Sequence, residues 1–255
     1  MKKILLLVAV LNTGVLIAQK KNTKPASKPV EEKTKTVKDW SKIDLSNRPA
    51  DHFVFQLGFD SWTNTPDSIK TKGLGRHFNM YFMLDKPFKN NKKMSLGIGA
   101  GFSTSNIYFE NTYLDIKANA TRLNFRNVTA TDHFSKYKLT TIFLEAPVEL
   151  RYYSNPENPS KSWKIAVGAK IGTLFKAYTK GKNLVNASGQ SLYGNKYMSK
   201  EYDRKFFNGT RIALGARVGY GVWSLHASYQ LTQVVKEGFG PEVRPFSIGL
   251  TLSGL

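Results

Sequence analysis

Between Lys138 and Ser154 the chain reads KLTTIFLEAPVELRYYS, and the alternation inside this stretch restricts what the rest of the molecule can be. Ile142, Leu144, Ala146, Val148, Leu150 and Tyr152 are apolar, while the intervening positions include Glu145, Glu149 and Arg151. A period of two belongs to a β-strand, whose successive side chains point to opposite faces. The run also exceeds the usual strand of about 5–6 residues. Such a strand has two homes. In a soluble sandwich the apolar face meets a second sheet and the charges meet water; in a membrane barrel the apolar face meets lipid and the charges face the lumen. The choice depends on whether the chain repeats the pattern.

It does. Phe53, Phe55, Leu57 and Phe59 alternate with Val54, Gln56, Gly58 and Asp60, and Phe78, Met80, Phe82 and Leu84 alternate with His77, Asn79, Tyr81 and Met83. The same holds for Met94 to Ser103, Trp163 to Lys176, Arg211 to Tyr220, Trp223 to Leu231 and Phe246 to Ser253. With the opening stretch these make eight strands, the smallest even number usual for bacterial outer-membrane barrels. The connections alternate in length. DKPFKNNKK, SNPENPSK and Gly221-Val222 are short, whereas residues 61–75, about 104–137, about 178–208 and 232–244 are the other links, and the two central ones are longest. Barrels with short periplasmic turns and longer external loops show this rhythm, and sandwiches have no reason to. The prediction is all-β: an eight-stranded antiparallel up-and-down transmembrane β-barrel over residues 51–255, with aromatic residues Tyr152, Tyr153, Trp163, Tyr220 and Trp223 forming a belt at its periplasmic rim.

The amino terminus, MKKILLLVAVLNTGVLIAQ, has Lys2 and Lys3, an apolar core and Ala18, and reads as a secretory signal peptide over residues 1–18. Residues 19–50 are rich in Lys, Pro, Ser and Thr and bury too little apolar surface to order, so they are expected to be a disordered, flexible tail in the periplasm. No Cys occurs, so neither a lipoprotein anchor nor a disulfide framework is expected. The formal charge is +20. Export makes nucleic acid an unsuitable target for that excess; outer-membrane lipid, lipopolysaccharide phosphates and acidic glycans fit better. The two long links also interleave Arg and Lys with Tyr and Phe, as in NATRLNFRNVTATDHF and GQSLYGNKYMSKEYDRKFF, which suits a carbohydrate or protein partner.

Side-chain parity sends Glu145, Glu149, Arg151, Lys164, Lys170, Arg211, Arg217 and His226 into the lumen, with glycines leaving room for them. An eight-stranded barrel is just wide enough for side chains to fill, so a plug is expected and not a pore. A turn centred on Glu157-Asn158 would put Glu145 opposite Lys170 and Arg151 opposite Lys164. Unpaired charges there cost several kcal/mol, so pairing is expected to hold the barrel shut.

One enzyme signal stands out. His226 and Ser228 lie two residues apart on one strand, and the trio His226-Ala227-Ser228 resembles the His-x-Ser element of outer-membrane lipid A deacylases. Parity turns both into the lumen, away from lipid, and no carboxylate occupies an orienting position. His52, His77 and His133 show no metal-ligand spacing. No cofactor or metal is implied.

FLEAPVELRYY at 143–153, LGIGAGF at 96–102, KIAVGAKIG at 164–172 and the closing FSIGLTLSG together resemble the PorT-like outer-membrane β-barrel family of Gram-negative bacteria. The resemblance covers about residues 50–255 and contains no catalytic signature. It implies an eight-stranded barrel in the outer membrane, and through the family's named member a connection with type IX protein secretion. The expected function is non-enzymatic: a structural or accessory subunit that binds an envelope protein partner. The alternatives are a lipid A-modifying hydrolase using His226 and Ser228, or a narrow channel.

Overall fold

A computed structural model of the chain describes residues 52–254; the signal-peptide reading at 1–18 and the tail reading at 19–50 lie outside the described residues. The strands are β1 (Phe53–Thr63), β2 (Gly75–Pro87), β3 (Met94–Phe109), β4 (Thr112–Leu114), β5 (Phe125–Asn127), β6 (His133–Tyr153), β7 (Trp163–Val185), β8 (Met198–Tyr202), β9 (Thr210–Tyr220), β10 (Trp223–Gln230) and β11 (Arg244–Ser253). Eight of them close into an antiparallel ring in the order β6-β3-β2-β1-β11-β10-β9-β7, with β7 pairing back on β6. Closure leaves no unpaired ring edge, which is what a bilayer requires of a sheet.

Parity follows the pleat. On β1, Leu57 and Phe59 face outward, while Val54, Gln56 and Asp60 are buried inside. On β7, Trp163, Ile165, Val167 and Ile171 face outward and Lys164 and Ala166 inward. At one rim the hairpins are tight. Tyr220 pairs directly with Trp223, and the intervening Gly221 adopts φ +62°, a conformation that side chains with a Cβ rarely take.

The pairing of β6 with β7 differs from the expected one by two residues. Glu145 lies opposite Gly172 and Lys170 opposite Pro147, while Arg151 faces Ala166 and Lys164 faces Tyr153. The turn is longer than its sequence reading because Pro159–Lys161 form a single 3₁₀ turn that moves its centre toward the carboxyl side. Farther along, Ile142 pairs with Lys176 but Phe143 with Leu174, so Phe175 is an extra residue in a β-bulge. On the other side of β6 the ladder with β3 is interrupted between Ile98↔Val148 and Gly101↔Glu145, where Pro147 has no N–H to donate.

The two longest links are not loops. β6 has 21 residues and β7 has 23, about twice the 9–11 that span a bilayer, so both continue beyond the ring. There β8 pairs with β7, and a β4–β5 hairpin folds over the end. These pieces enclose a hydrophobic core of Trp62, Ile107, Phe109, Leu114, Tyr137, Leu139, Phe143, Phe206, Phe207, Val235 and their neighbours. Several aromatics that read from sequence as loop-surface contacts are therefore core: Phe206 and Phe207 are almost wholly buried. We call this end the head.

Candidate functional site

Two regions concentrate chemistry: the interior of the ring and the head. Inside, the side chains of Glu145, Arg151, Lys164, Arg211, Arg217 and His226 are buried, and those of Glu149 and Lys170 half-buried. They sort into clusters. Glu145 takes an ion pair from Arg211 Nη1 at 2.9 Å and a hydrogen bond from Tyr81 Oη at 2.6 Å. Arg211 also donates to Ser103 Oγ at 2.7 Å, and Lys170 Nζ reaches Tyr81 Oη at 3.4 Å. Closer to the short-turn rim, Glu149 accepts from both Arg151 and Arg217, and Arg151 extends to Asp85 at 3.4 Å. Lys164 lies over the ring of Tyr153 at 5.7 Å.

A third cluster links residues that sequence reasoning had set apart. Asp60 accepts from Ser105 and contacts His77 Nδ1 at 2.8 Å; His77 Nε2 meets His226 Nε2 at 2.9 Å, and His226 Nδ1 meets Thr251 Oγ1 at 2.9 Å. Both ring nitrogens of His226 are thus engaged, and neither is turned to Ser228. His77, Asp60, Asp85 and Tyr81 are the interior residues not singled out in advance. Strand parity already placed His77, Asp60 and Tyr81 inside; what the sequence lacks is any mark that two histidines on strands 149 positions apart converge. Among the described residues no group of three or more His, Asp or Glu is arranged to hold a metal.

The glycines leave room for neighbours on the adjacent strand, not across the barrel. A Cβ on Gly97 would stand 2.7 Å from the Arg151 guanidinium, and one on Gly172 would stand 2.7 Å from Glu145 Cγ. What space remains is small. A central cavity of about 30 Å³ touches Tyr81, Glu149, Lys170, Arg217 and His226, and another of about 10 Å³ lies beneath the head. The first has room for about one or two waters.

At the short-turn rim Tyr152, Trp163, Tyr220 and Trp223 face outward, with Trp163 packed edge-to-face on Tyr220 at 5.7 Å. Tyr153 does not join them. Successive residues on a strand point to opposite faces, so with Tyr152 outside, Tyr153 is buried in the lumen at 2 % exposure.

The head carries a cleft of about 380 Å³ lined by Tyr113, Arg126, Asp132, His133 and Phe134. Arg126 lies over the Tyr113 ring at 5.1 Å, and Tyr113 donates to Glu201 at 3.1 Å. Burial, followed by the charge of Glu201, pushes the Tyr113 phenol up to about 12. Beside the cleft, Leu192, Tyr193, Tyr197, Met198 and Tyr202 are exposed, and Tyr193 stacks on Tyr197 at 4.9 Å.

A closed eight-stranded ring with an apolar exterior, an aromatic rim and a salt-bridged, filled interior defines a membrane β-barrel of the smallest common size. The chain belongs to the outer membrane protein beta-barrel domain family, whose model matches residues 49–250, and is an outer-membrane barrel. No curated protein matches the sequence. Among solved structures it is similar to Ail, the attachment invasion locus protein of Yersinia pestis, in complex with the heparin analogue sucrose octasulfate; the match covers 79 % of this chain and 94 % of that one, at 13 % identity and a TM-score of 0.35. A mutant porin of Rh. blastica is matched over 79 % of this chain and 98 % of its own, at 8 % identity and a TM-score of 0.19.

Proposed function

We propose that this barrel is a non-enzymatic accessory subunit of the cell envelope that docks a protein partner on its head. The observation that carries this reading is the head itself. β6 and β7 run far beyond a bilayer's thickness to build a platform with its own buried core, and that platform leaves Leu192, Tyr193, Tyr197, Met198 and Tyr202 exposed together. Large amphipathic rings on a rigid support are the usual anchors of protein interfaces. The lumen supports the same reading from the other side: Glu145 and Glu149 are paired with Arg211, Arg151 and Arg217, its cavities are water-sized, and His226 spends its nitrogens on His77 and Thr251.

With the signal peptide removed and the Lys-rich tail in the periplasm, the head lies outside the cell. The resemblance to PorT-like barrels names type IX protein secretion as the apparatus in which to seek the partner. The test is a pull-down of the full-length protein from detergent-solubilised membranes, beside a variant in which residues 189–197 are replaced by a short Gly-Ser turn and one lacking residues 20–50. A stoichiometric protein lost with the turn replacement supports head docking. Loss only with the tail deletion moves the docking surface to the tail, and no partner in any sample refutes the reading.

A further inference from the structure

We propose that the outward face of β6, β7 and β8, just above the apolar band, binds the phosphates of a bisphosphorylated, acylated glycolipid, the lipid A of the outer leaflet. The first observation is a conflict in the sheet. Lys136 pairs directly with Lys182, Lys138 with Lys180, and Lys180 again with Lys200. Like charges directly opposite each other on a sheet are destabilising. Lys176 adds a further cation on the same face, and the outward positions from Lys136 to Ile142, Lys176 to Lys182 and Met198 to Tyr202 hold no carboxylate to compensate. On the β3 side Lys138 Nζ donates to the neutral Asn106 Oδ1 at 2.6 Å, and even with Glu110 just past the end of that strand the lysines outnumber the carboxylates, so the surface keeps an excess of positive charge.

The second observation is where the lysines stand. Outward side chains are apolar on β7 from Trp163 to Phe175, Thr173 excepted, and on β6 from Tyr152 to Ile142. The lysines begin at the bulge, where the extra Phe175 closes the apolar run and Lys176 Nζ lies over its ring at 5.4 Å. They occupy the level of lipid headgroups, where lysines favour an anionic surface.

The third observation lies directly below. The small side chains of Ala100 and Ala146, beside the break in the β3–β6 ladder, leave a shallow, open lipid-facing depression bordered by Phe102, Leu144 and Ile171. Leu144 is one outward position beneath Ile142, which pairs with Lys176. An apolar depression against which an acyl chain can lie thus runs up to a row of cations, and phosphates above acyl chains are the chemistry that matches both.

The assay is native mass spectrometry of the detergent-purified full-length protein with bisphosphorylated lipid A, with fully dephosphorylated lipid A, and with phosphatidylethanolamine. The expected result is retention of the bisphosphorylated form at least tenfold over the other two. The variant K138Q/K180Q/K200Q should lose that preference and A100F/A146F should weaken binding of all acylated forms, while K89Q/K92Q/K93Q in a short turn leaves it intact. Heat-dependent gel migration reports whether each variant is folded. If the triple variant does not fold, loss of wild-type binding with rising salt serves in its place. Equal binding of phosphorylated and dephosphorylated lipid, or binding indifferent to both salt and the three lysines, overturns the proposal. The assay uses purified protein and lipid alone, so its failure is separate from failure of the head-docking reading, which the pull-down tests.

Discussion

Arg151 and Arg217 share a single carboxylate oxygen: Oε2 of Glu149 accepts from Arg151 Nε at 2.9 Å and from Arg217 Nη2 at 3.0 Å. β6 and β9 do not pair with each other and are separated by β7, so this one oxygen ties strands that share no backbone ladder. Replacing Glu149 with Gln removes the charge that both buried guanidinium groups share and leaves Arg151 its longer contact with Asp85. The expected cost is about 3–5 kcal/mol, read by denaturant unfolding of the barrel in detergent. The double variant E149Q/R217Q should recover part of that loss, because one of the two cations that Glu149 balances is gone; strictly additive losses would contradict the shared-oxygen account.

His226 is a structural partner of His77 and Thr251. His226→Ala should therefore lower stability by about 1–3 kcal/mol through the unsatisfied groups it leaves. Mass spectrometry of lipid A from cells carrying H226A or S228A should show the same species as wild type. A lipid A species that appears or vanishes in both variants would establish the hydrolase instead.

The interior has no room at Gly97. A Cβ there meets the guanidinium of Arg151, which is 1 % exposed and held by Glu149 and Asp85. Gly97→Val should cost about 1–3 kcal/mol by overpacking and slow the appearance of the folded band on unheated gels. Gly209, with open space around its Cα and an ordinary backbone, tolerates Ala with little change and is the matched control.

Reconstituted in planar bilayers, the wild-type protein should give no conductance steps. The interior cavities of about 30 and 10 Å³ are separated by ion-paired side chains. Regular unitary currents would restore the channel reading.

The head and the ring have separate cores. Phe206→Ala, at a fully buried position of the head, should cost about 3–5 kcal/mol locally and make the 186–209 segment sensitive to added protease. The ring should remain folded in the same sample, judged by its gel migration. Protease resistance unchanged in the variant would show that the head does not depend on this core.

The residues legible in advance are those whose placement is local. Strand positions, the inward set from Glu145 to His226, and the outward positions of Trp163, Tyr220 and Trp223 follow from a period of two that the covalent geometry of an extended chain imposes on any sequence. That same rule, applied strictly, puts Tyr153 inside once Tyr152 is outside. Alternation of short and long links was equally readable, but the long ones look loop-like in sequence because β4, β5 and β8 are only three to five residues each. The aromatics of the head were visible; their burial was not, since it depends on Trp62, Phe109, Phe206 and Val235 arriving from different parts of the chain.

The sequence by itself determined the class of protein: a chain of eight amphipathic strands in this rhythm has one arrangement in which every apolar face meets lipid and every backbone group is paired. Only the tertiary structure decided which charges meet. Register depends on how a turn such as Pro159–Lys161 winds, and a two-residue displacement keeps every side chain on its face while changing its partner. For that reason Glu145 found Arg211 where Lys170 was expected, and His77 found His226.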